Sequence, residues 1–242
     1  MAFDPAILDA PFTALQGFNW GADADAFKPV DAAVVAAHND AGLRAELEKR
    51  FAALLGGGAS RATKEYVCRK LAMIGTAVSV PGLAALLGTA ENSHMARFAL
   101  ERIGAPEAAT ALRTALAQVE GPLKIGMLSS LAARGDKASV AAIAPLLRGE
   151  ASVAAAAAEA LGTLCTPEAA LALAAAKATG DVAAAVTDAR LACADTFLAK
   201  GDRAAAKAIY ESISAAVGAA PKTHRERAVR VAAKRGLLAA AD

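Results

Sequence analysis

The chain has 242 residues, of which 56% are hydrophobic although only 4% are aromatic. Alanine, leucine and valine supply most of this apolar content, and since alanine is the best helix former while strand formers are sparse, we predict an all-α fold. A net charge of +2 provides no strong field that would attract nucleic acid. No apolar run approaches the roughly 20 residues that a membrane-spanning helix requires.

The N-terminal part, residues 1–59, is predicted to be a lead-in followed by capping helices. Residues 1–20 show no sustained periodicity and are expected to be irregular, whereas two helices are predicted at about Ala22–Ala37 and Asp40–Leu55. Ser60 is expected to cap the helix that follows. The large aromatic side chains of this end are expected to be buried against the first repeats rather than to contact a ligand: Phe18, Trp20 and Tyr66.

The start of the chain, MAFDPAILDA, does not show a basic segment followed by an apolar one. A secretory signal is therefore not predicted, and a soluble, cytoplasmic protein is the default expectation.

The middle of the chain repeats itself. ALERIGAPEAATAL at Ala99–Leu112 echoes ALGTLCTPEAALAL at Ala160–Leu173, and a search outward finds two more copies, with steps of 29, 31 and 30 residues. Five columns run through the copies: Leu71, Leu100, Leu131, Leu161; Ile74, Ile103, Arg134, Leu164; Val80, Ala109, Val140, Ala170; Leu83, Leu112, Ile143, Leu173; and Leu87, Leu116, Leu147, broken by Lys177. Residues 60–180 are therefore predicted to form four stacked units.

Each unit is predicted to be two helices around a tight turn, and the second copy shows why. HMARFALERI has helical spacing, and Gly104 then suits a left-handed residue that ends the helix. Pro106 suits the first turn of the next helix, where the charge of Glu107 is also favourable. That second helix, EAATALRTALAQV, is expected to bury Ala109, Leu112 and Leu116.

The pattern A-L-x-x-I-G-x-P-E-A-x-x-A-L resembles HEAT-like repeats, in particular the short variety found in phycobilin lyase subunits and many bacterial scaffolds. The resemblance implies a right-handed α-solenoid of antiparallel helix pairs, in which the second helices line a concave face. It implies little about function, because such arrays bind proteins, nucleic acids and small ligands alike.

Residues 181–242 are predicted to continue the same solenoid domain. A long helix, a Gly-Asp turn and a second helix within Leu191–Ile213 look like a tetratricopeptide-type hairpin, and a last helix at about Thr223–Ala241 is expected to close the array.

Catalytic and metal-binding motifs are missing from the sequence. Cys68, Cys165 and Cys193 stand far apart within apolar helical patterns, which favours small buried hydrophobic side chains over metal or redox roles. His94 stands one repeat after Glu65, which predicts a structural polar pair rather than a metal site. We therefore predict a protein that is not an enzyme and that uses no cofactor.

The leading prediction is a monomeric, non-catalytic scaffold that binds a protein or peptide and no membrane. Its candidate contacts are Thr110, Arg113, Thr114, Lys137 and Arg148 on the concave face, and Arg227, Arg230 and Lys234 on the last helix. One alternative is a nucleic-acid-binding repeat protein that uses the basic stretch Lys222–Arg235. Another, implied only by the family resemblance, is a lyase-like helper for chromophore attachment.

The repeat columns predict which face of the second helix is buried. Replacing Leu112 by alanine should lower the free energy of unfolding by about 2–5 kcal/mol through the cavity it leaves. Replacing Arg113, on the predicted solvent side, should change it by less than about 0.5 kcal/mol. Chemical denaturation of both variants checks this, and equal losses would mean that the buried face is assigned wrongly.

Overall fold

A computed structural model describes residues 5–23 and 25–241, which form fourteen α-helices linked by short loops and 3-10 helices and contain no β-strand. The all-α prediction is therefore confirmed for this part of the chain. The chain divides into two compact units, Met1–Arg134 and Gly135–Asp242. The superhelical handedness expected from the family resemblance stays a prediction.

The first unit consists of eight α-helices and three 3-10 helices within the described residues. The α-helices are α1 Asp9–Gln16, α2 Lys28–Ala36, α3 Ala41–Gly56, α4 Arg61–Ile74, α5 Val80–Ala84, α6 Ser93–Arg102, α7 Pro106–Gln118 and α8 Gly121–Ala133. The 3-10 helices are Pro5–Leu8, Asp25–Phe27 and Ala77–Ser79. Helices α4, α6 and α8 pack side by side, as the first helices of successive repeats should.

The second unit consists of six α-helices and two 3-10 helices within the described residues. The α-helices are α9 Val140–Ile143, α10 Ala151–Leu164, α11 Pro167–Ala174, α12 Gly180–Ala199, α13 Arg203–Val217 and α14 His224–Ala241. The 3-10 helices are Lys137–Ser139 and Ala144–Arg148. Helix α12 packs against α10 on one side and α13 on the other, and α13 also packs against α14.

The N-terminal segment is more regular than the sequence predicted. Residues 5–16 are helical rather than irregular, because Leu8, Phe12 and Leu15 recur at helical spacing and are buried. The Phe12 ring lies 5.2 Å from that of Phe51 on α3. Residues 1–4 of the segment predicted to be irregular lie outside the described residues, as does Ala24 within the first predicted helix. The described part of that helix begins later than predicted, at Lys28 after a 3-10 turn.

Side chains cap two helices near this end, Ser60 as predicted and also Asp40, which was predicted to lie inside its helix. The Leu43 amide donates to Asp40 Oδ1 at 2.9 Å, and the Thr63 amide donates to Ser60 Oγ at 3.1 Å. The predicted burial of Trp20 is wrong: its side chain is 58% exposed and lies under the Arg61 guanidinium, 5.4 Å from the ring centroid. A cation over the indole face stabilises the ring without burying it.

The five repeat columns mark the buried positions with few exceptions. All four leucines of the first column are fully buried, as are Leu83, Leu112 and Ile143 of the fourth. Ala170 of the third column is only half-buried, since Ala169 beside it takes the buried place. Lys177, which breaks the fifth column, is exposed and lies beyond the end of α11.

Arg134 occupies an apolar column because it caps the neighbouring repeat. Its guanidinium donates to the carbonyl oxygens of Ile103 at 2.7 Å and Ala105 at 3.3 Å, and also to that of Leu100. These acceptors lie at the end of α6, where carbonyl groups lack helical partners and a positive charge is favourable. The Arg134 side chain thus joins two adjacent repeats through hydrogen bonds, whereas apolar side chains join them at the other positions of this column.

The turn between paired helices varies among the copies. Pro106 begins α7, and Glu107 lies in its first turn, as predicted. The prediction of a left-handed Gly104 is wrong, because Ile103 already leaves the helix in an extended conformation with φ −68° and ψ 114°. Left-handed residues occur at the corresponding place in the next two copies, at Gly135 with φ 65° and Cys165 with φ 42°.

Small residues bring several helices unusually close. A Cβ atom on Gly162 of α10 would lie 2.8 Å from the Cα atom of Ala189 on α12, and one on Gly236 of α14 would overlap the Tyr210 ring on α13. These separations leave no room for any side chain.

We expect Gly162→Ala to lower the free energy of unfolding by about 1–3 kcal/mol, because the new methyl group meets backbone that cannot move aside. Gly56→Ala is the matched control, since Gly56 ends α3 and a Cβ there would meet nothing within 4 Å. Urea denaturation of the two variants measures the difference. A Gly162→Ala protein as stable as the control would contradict the close α10–α12 contact.

Candidate functional site

An apolar concavity in the second unit lies between α11 and α13, with α12 as its floor. It encloses about 410 Å³. The α11 wall consists of Pro167, Ala170, Leu171 and Ala174, and the α13 wall consists of Ala205, Ala208, Ile209 and Ser212. Both sets recur at three- and four-residue spacing, so each wall is one face of a helix. Arg190 and Phe197 form the floor, and Asp202 completes the lining.

The local sequence explains why these two helix faces are left open. Thr166 caps α11 by accepting from the Ala169 amide at 3.1 Å, and the helix then buries Ala169 and Leu173 on its other side. Leu171 consequently points away from the core and is 71% exposed. Helix α13 behaves in the same way, because Asp202 caps it and the opposite face buries Ala206, Tyr210 and Ile213.

One cation stands out in this groove of α11, α12 and α13. The Arg190 guanidinium is half-buried and donates through Nη2 to Ser212 Oγ. Burial lowers its pKa from the ordinary arginine value. Within the described part of the chain, no carboxylate pairs with it, in contrast to Arg50, Arg69 and Arg225, which all contact acidic side chains.

The groove has opposite polarity at its two ends. The Asp202 amide donates to the Phe197 carbonyl oxygen at 2.9 Å, which places Asp202 at the Phe197 end, whereas Ser212 contacts Arg190 at the other end. The Asp202 carboxylate accepts from the Ala205 amide at 3.1 Å. An apolar channel therefore runs from a capping carboxylate to a half-buried guanidinium.

A second cleft, in the first unit, is more polar. It follows α4 and α6, encloses about 490 Å³ and is lined by residues that include Glu65, Arg69 and His94. Glu65 pairs with Arg69 on its own helix, and His94 Nδ1 lies 3.5 Å from Arg97 Nη2. The two members of the predicted polar pair thus face the same cleft, each next to an arginine of its own helix.

Polar networks that the sequence analysis missed lie inside the first unit. The Glu48 carboxylate is only 2% exposed and accepts from the Thr76 amide at 2.7 Å and Ser79 Oγ at 2.6 Å. Arg97 donates to Gly126 O and Ser130 Oγ, both at 3.1 Å. These groups join α3 to the first repeat and α6 to α8, so they serve the fold. The sequence pattern does not indicate that Glu48 is buried, because this residue stands among other charged residues in the stretch LRAELEKR.

The predicted contact residues belong to both units, and their role in binding stays a prediction. On α7, Arg113 Nη2 donates to Thr110 Oγ1 at 2.9 Å, and Thr114 is exposed nearby. In the second unit, Lys137 and Arg148 are exposed at the two 3-10 helices.

The basic residues predicted on the last helix have different environments. Arg227 and Lys234 are exposed on α14. Arg230 donates to the Ala219 carbonyl oxygen just beyond the end of α13, and therefore stabilises that turn. On the same helix Val229 is buried, whereas the Val231 side chain is 49% exposed.

The cysteines have the environment of core residues. Cys68, Cys165 and Cys193 are all buried free thiols. Burial raises the pKa of Cys68 to about 12, and that of Cys193 to about 12 with a further contribution from neighbouring Cys165. A thiol that stays protonated is a poor nucleophile. The described residues hold no group of three His, Cys, Asp or Glu side chains arranged to bind a metal.

Comparison with known proteins supports the repeat architecture. Residues 94–118, which belong to α6 and α7, match the PBS lyase HEAT-like repeat. No curated protein matches the chain. None of the described helices combines the length and the apolar character needed to cross a membrane. The chain thus carries a HEAT-like repeat, as its sequence pattern predicted, and α6 and α7 form it.

Proposed function

We propose that the protein is a non-catalytic scaffold that holds a peptide segment of a protein partner in the groove of α11, α12 and α13. The observation that carries this proposal is the pair of helix faces, both exposing small or apolar side chains at helical spacing, on either side of an apolar floor. Such a shape suits the helix-in-groove mode of recognition, in which an amphipathic segment lays its apolar side between two helices.

The dimensions of the groove support this mode. Each wall covers eight residues, 167–174 and 205–212, so its first and last residues lie about 10 Å or two helical turns apart. The alanines on both walls allow a ligand backbone to approach closely. Leu171 at the rim offers a large side chain whose burial contributes about 1.5–3 kcal/mol.

The polar groups of the groove support binding more than chemistry. Asp202 is engaged in capping α13, and Ser212 accepts a hydrogen bond from Arg190. A catalytic nucleophile needs an adjacent base that takes its proton, and a charged arginine cannot act as one.

The nucleic-acid alternative is supported less well. Of the basic stretch Lys222–Arg235, Arg225 pairs with Asp188 at 2.8 Å and Arg230 donates to a backbone carbonyl group. Both cations are therefore used within the protein. The chromophore-helper alternative still depends on the family resemblance alone.

We expect the purified full chain to select binders from a random peptide library, and Leu171→Asp to weaken them by at least about tenfold, because it places a charge in an apolar contact. Leu238→Asp is the matched control, since Leu171 and Leu238 are both 71% exposed but Leu238 lies on α14. Fluorescence anisotropy measures the dissociation constants, and circular dichroism checks that both variants fold.

Two outcomes would contradict the proposed function. In the first, the library yields no binder; in the second, the selected peptides bind both aspartate variants as tightly as the original protein. Either result would mean that the groove is not the binding surface.

A further inference from the structure

We propose that Arg190 makes the groove of α11, α12 and α13 selective for a helical peptide segment that carries an acidic side chain. The inference rests on the proposed function and adds the chemistry of the ligand. The segment would place apolar side chains between the two walls and an aspartate or glutamate side chain beside the guanidinium.

The first argument is the electrostatic state of Arg190. Its side chain is half-buried, and its side-chain hydrogen bond goes to a neutral hydroxyl, that of Ser212. Taking a guanidinium out of water costs free energy that a single neutral acceptor does not recover. A carboxylate from a ligand would recover it, and it would do so bidentately because the planar guanidinium presents parallel N–H groups.

The second argument is where Arg190 stands relative to the apolar surface. Arg190 and Phe197 lie seven residues apart on the floor helix, which places them about 10 Å apart along its axis. A ligand helix lying along α12 has the same rise per residue. An apolar side chain packed over Phe197 therefore brings the residue seven positions away to Arg190.

This geometry specifies a sequence pattern for the ligand. The anchor over Phe197 and the acidic residue are seven positions apart, and apolar side chains stand three and four positions from the anchor, where they face the walls. Asp202, at the Phe197 end, disfavours a second acidic residue near the anchor. The groove thus distinguishes the two ends of the ligand by charge.

The test uses a random library of C-terminally amidated peptides selected on the full chain. We expect the enriched peptides to share an aspartate or glutamate seven positions from an apolar residue. Exchanging that acid for its amide should weaken binding by about tenfold or more, the effect of losing one charge-assisted hydrogen-bonded pair. The Arg190→Gln protein should bind the acidic peptides more weakly by the same factor. It should bind the acid and amide versions equally tightly.

Lys207→Gln is the matched control, because it also removes one positive charge from this unit. Lys207 is exposed on α13, outside the groove, and pairs only loosely with Glu211 at 4.0 Å. It should leave the acid-to-amide ratio unchanged. Ser212→Ala releases Arg190 from its internal acceptor and should keep or increase the preference for the acidic peptide. Thermal melts followed by circular dichroism establish that each variant is folded.

The inference fails if the selected peptides lack the acidic position, or if Arg190→Gln retains the preference for acid over amide. In both cases a loss of binding in Leu171→Asp would still support the proposed function, with apolar contacts alone holding the peptide. Absence of any selected binder would overturn the inference together with the proposed function.

Discussion

The constraint on which this structure depends is that a short helical hairpin cannot cover its own apolar face. Each repeat therefore needs a neighbour, and the chain supplies one at intervals of 29 to 31 residues. In the first unit α4, α6 and α8 pack in a row, with Leu71, Leu100 and Leu131 fully buried. In the second unit α10 and α12 make an equally close contact, which glycine and alanine permit.

Polar side chains reinforce this array at places where backbone groups would otherwise lack partners. Arg134 caps the end of α6. The Glu48 carboxylate accepts hydrogen bonds from Thr76 and Ser79, which lie between α4 and α5. Both lie between elements far apart in sequence. Because unpaired buried polar groups are costly, such contacts favour one arrangement of adjacent repeats over others that would satisfy the apolar columns equally well.

The period of the repeat predicted the fold well because buried positions recur with it. The groove, in contrast, forms where the repeat pattern is interrupted. The columns identified buried positions such as Leu112 and Ile143, and Lys177 marked the break in the fifth column. At that break α11 ends after eight residues, whereas α7 has thirteen. The predicted contact residues instead came from an idealised concave face and from the basic last helix. Arg190 was missed because its importance comes from the lack of an ion-pair partner among the described residues, which only the three-dimensional structure reveals.

The close contact between α10 and α12 has a consequence for how the groove responds to an occupant. Gly162 lets Ala189 approach so closely that α12 cannot slide or rotate without colliding with α10 backbone. The residue after Ala189 is Arg190, so the guanidinium projects from the part of α12 that this contact holds against α10. A binding surface that already has its bound conformation loses little conformational entropy on association. Most of the entropic cost of binding therefore comes from ordering the peptide ligand.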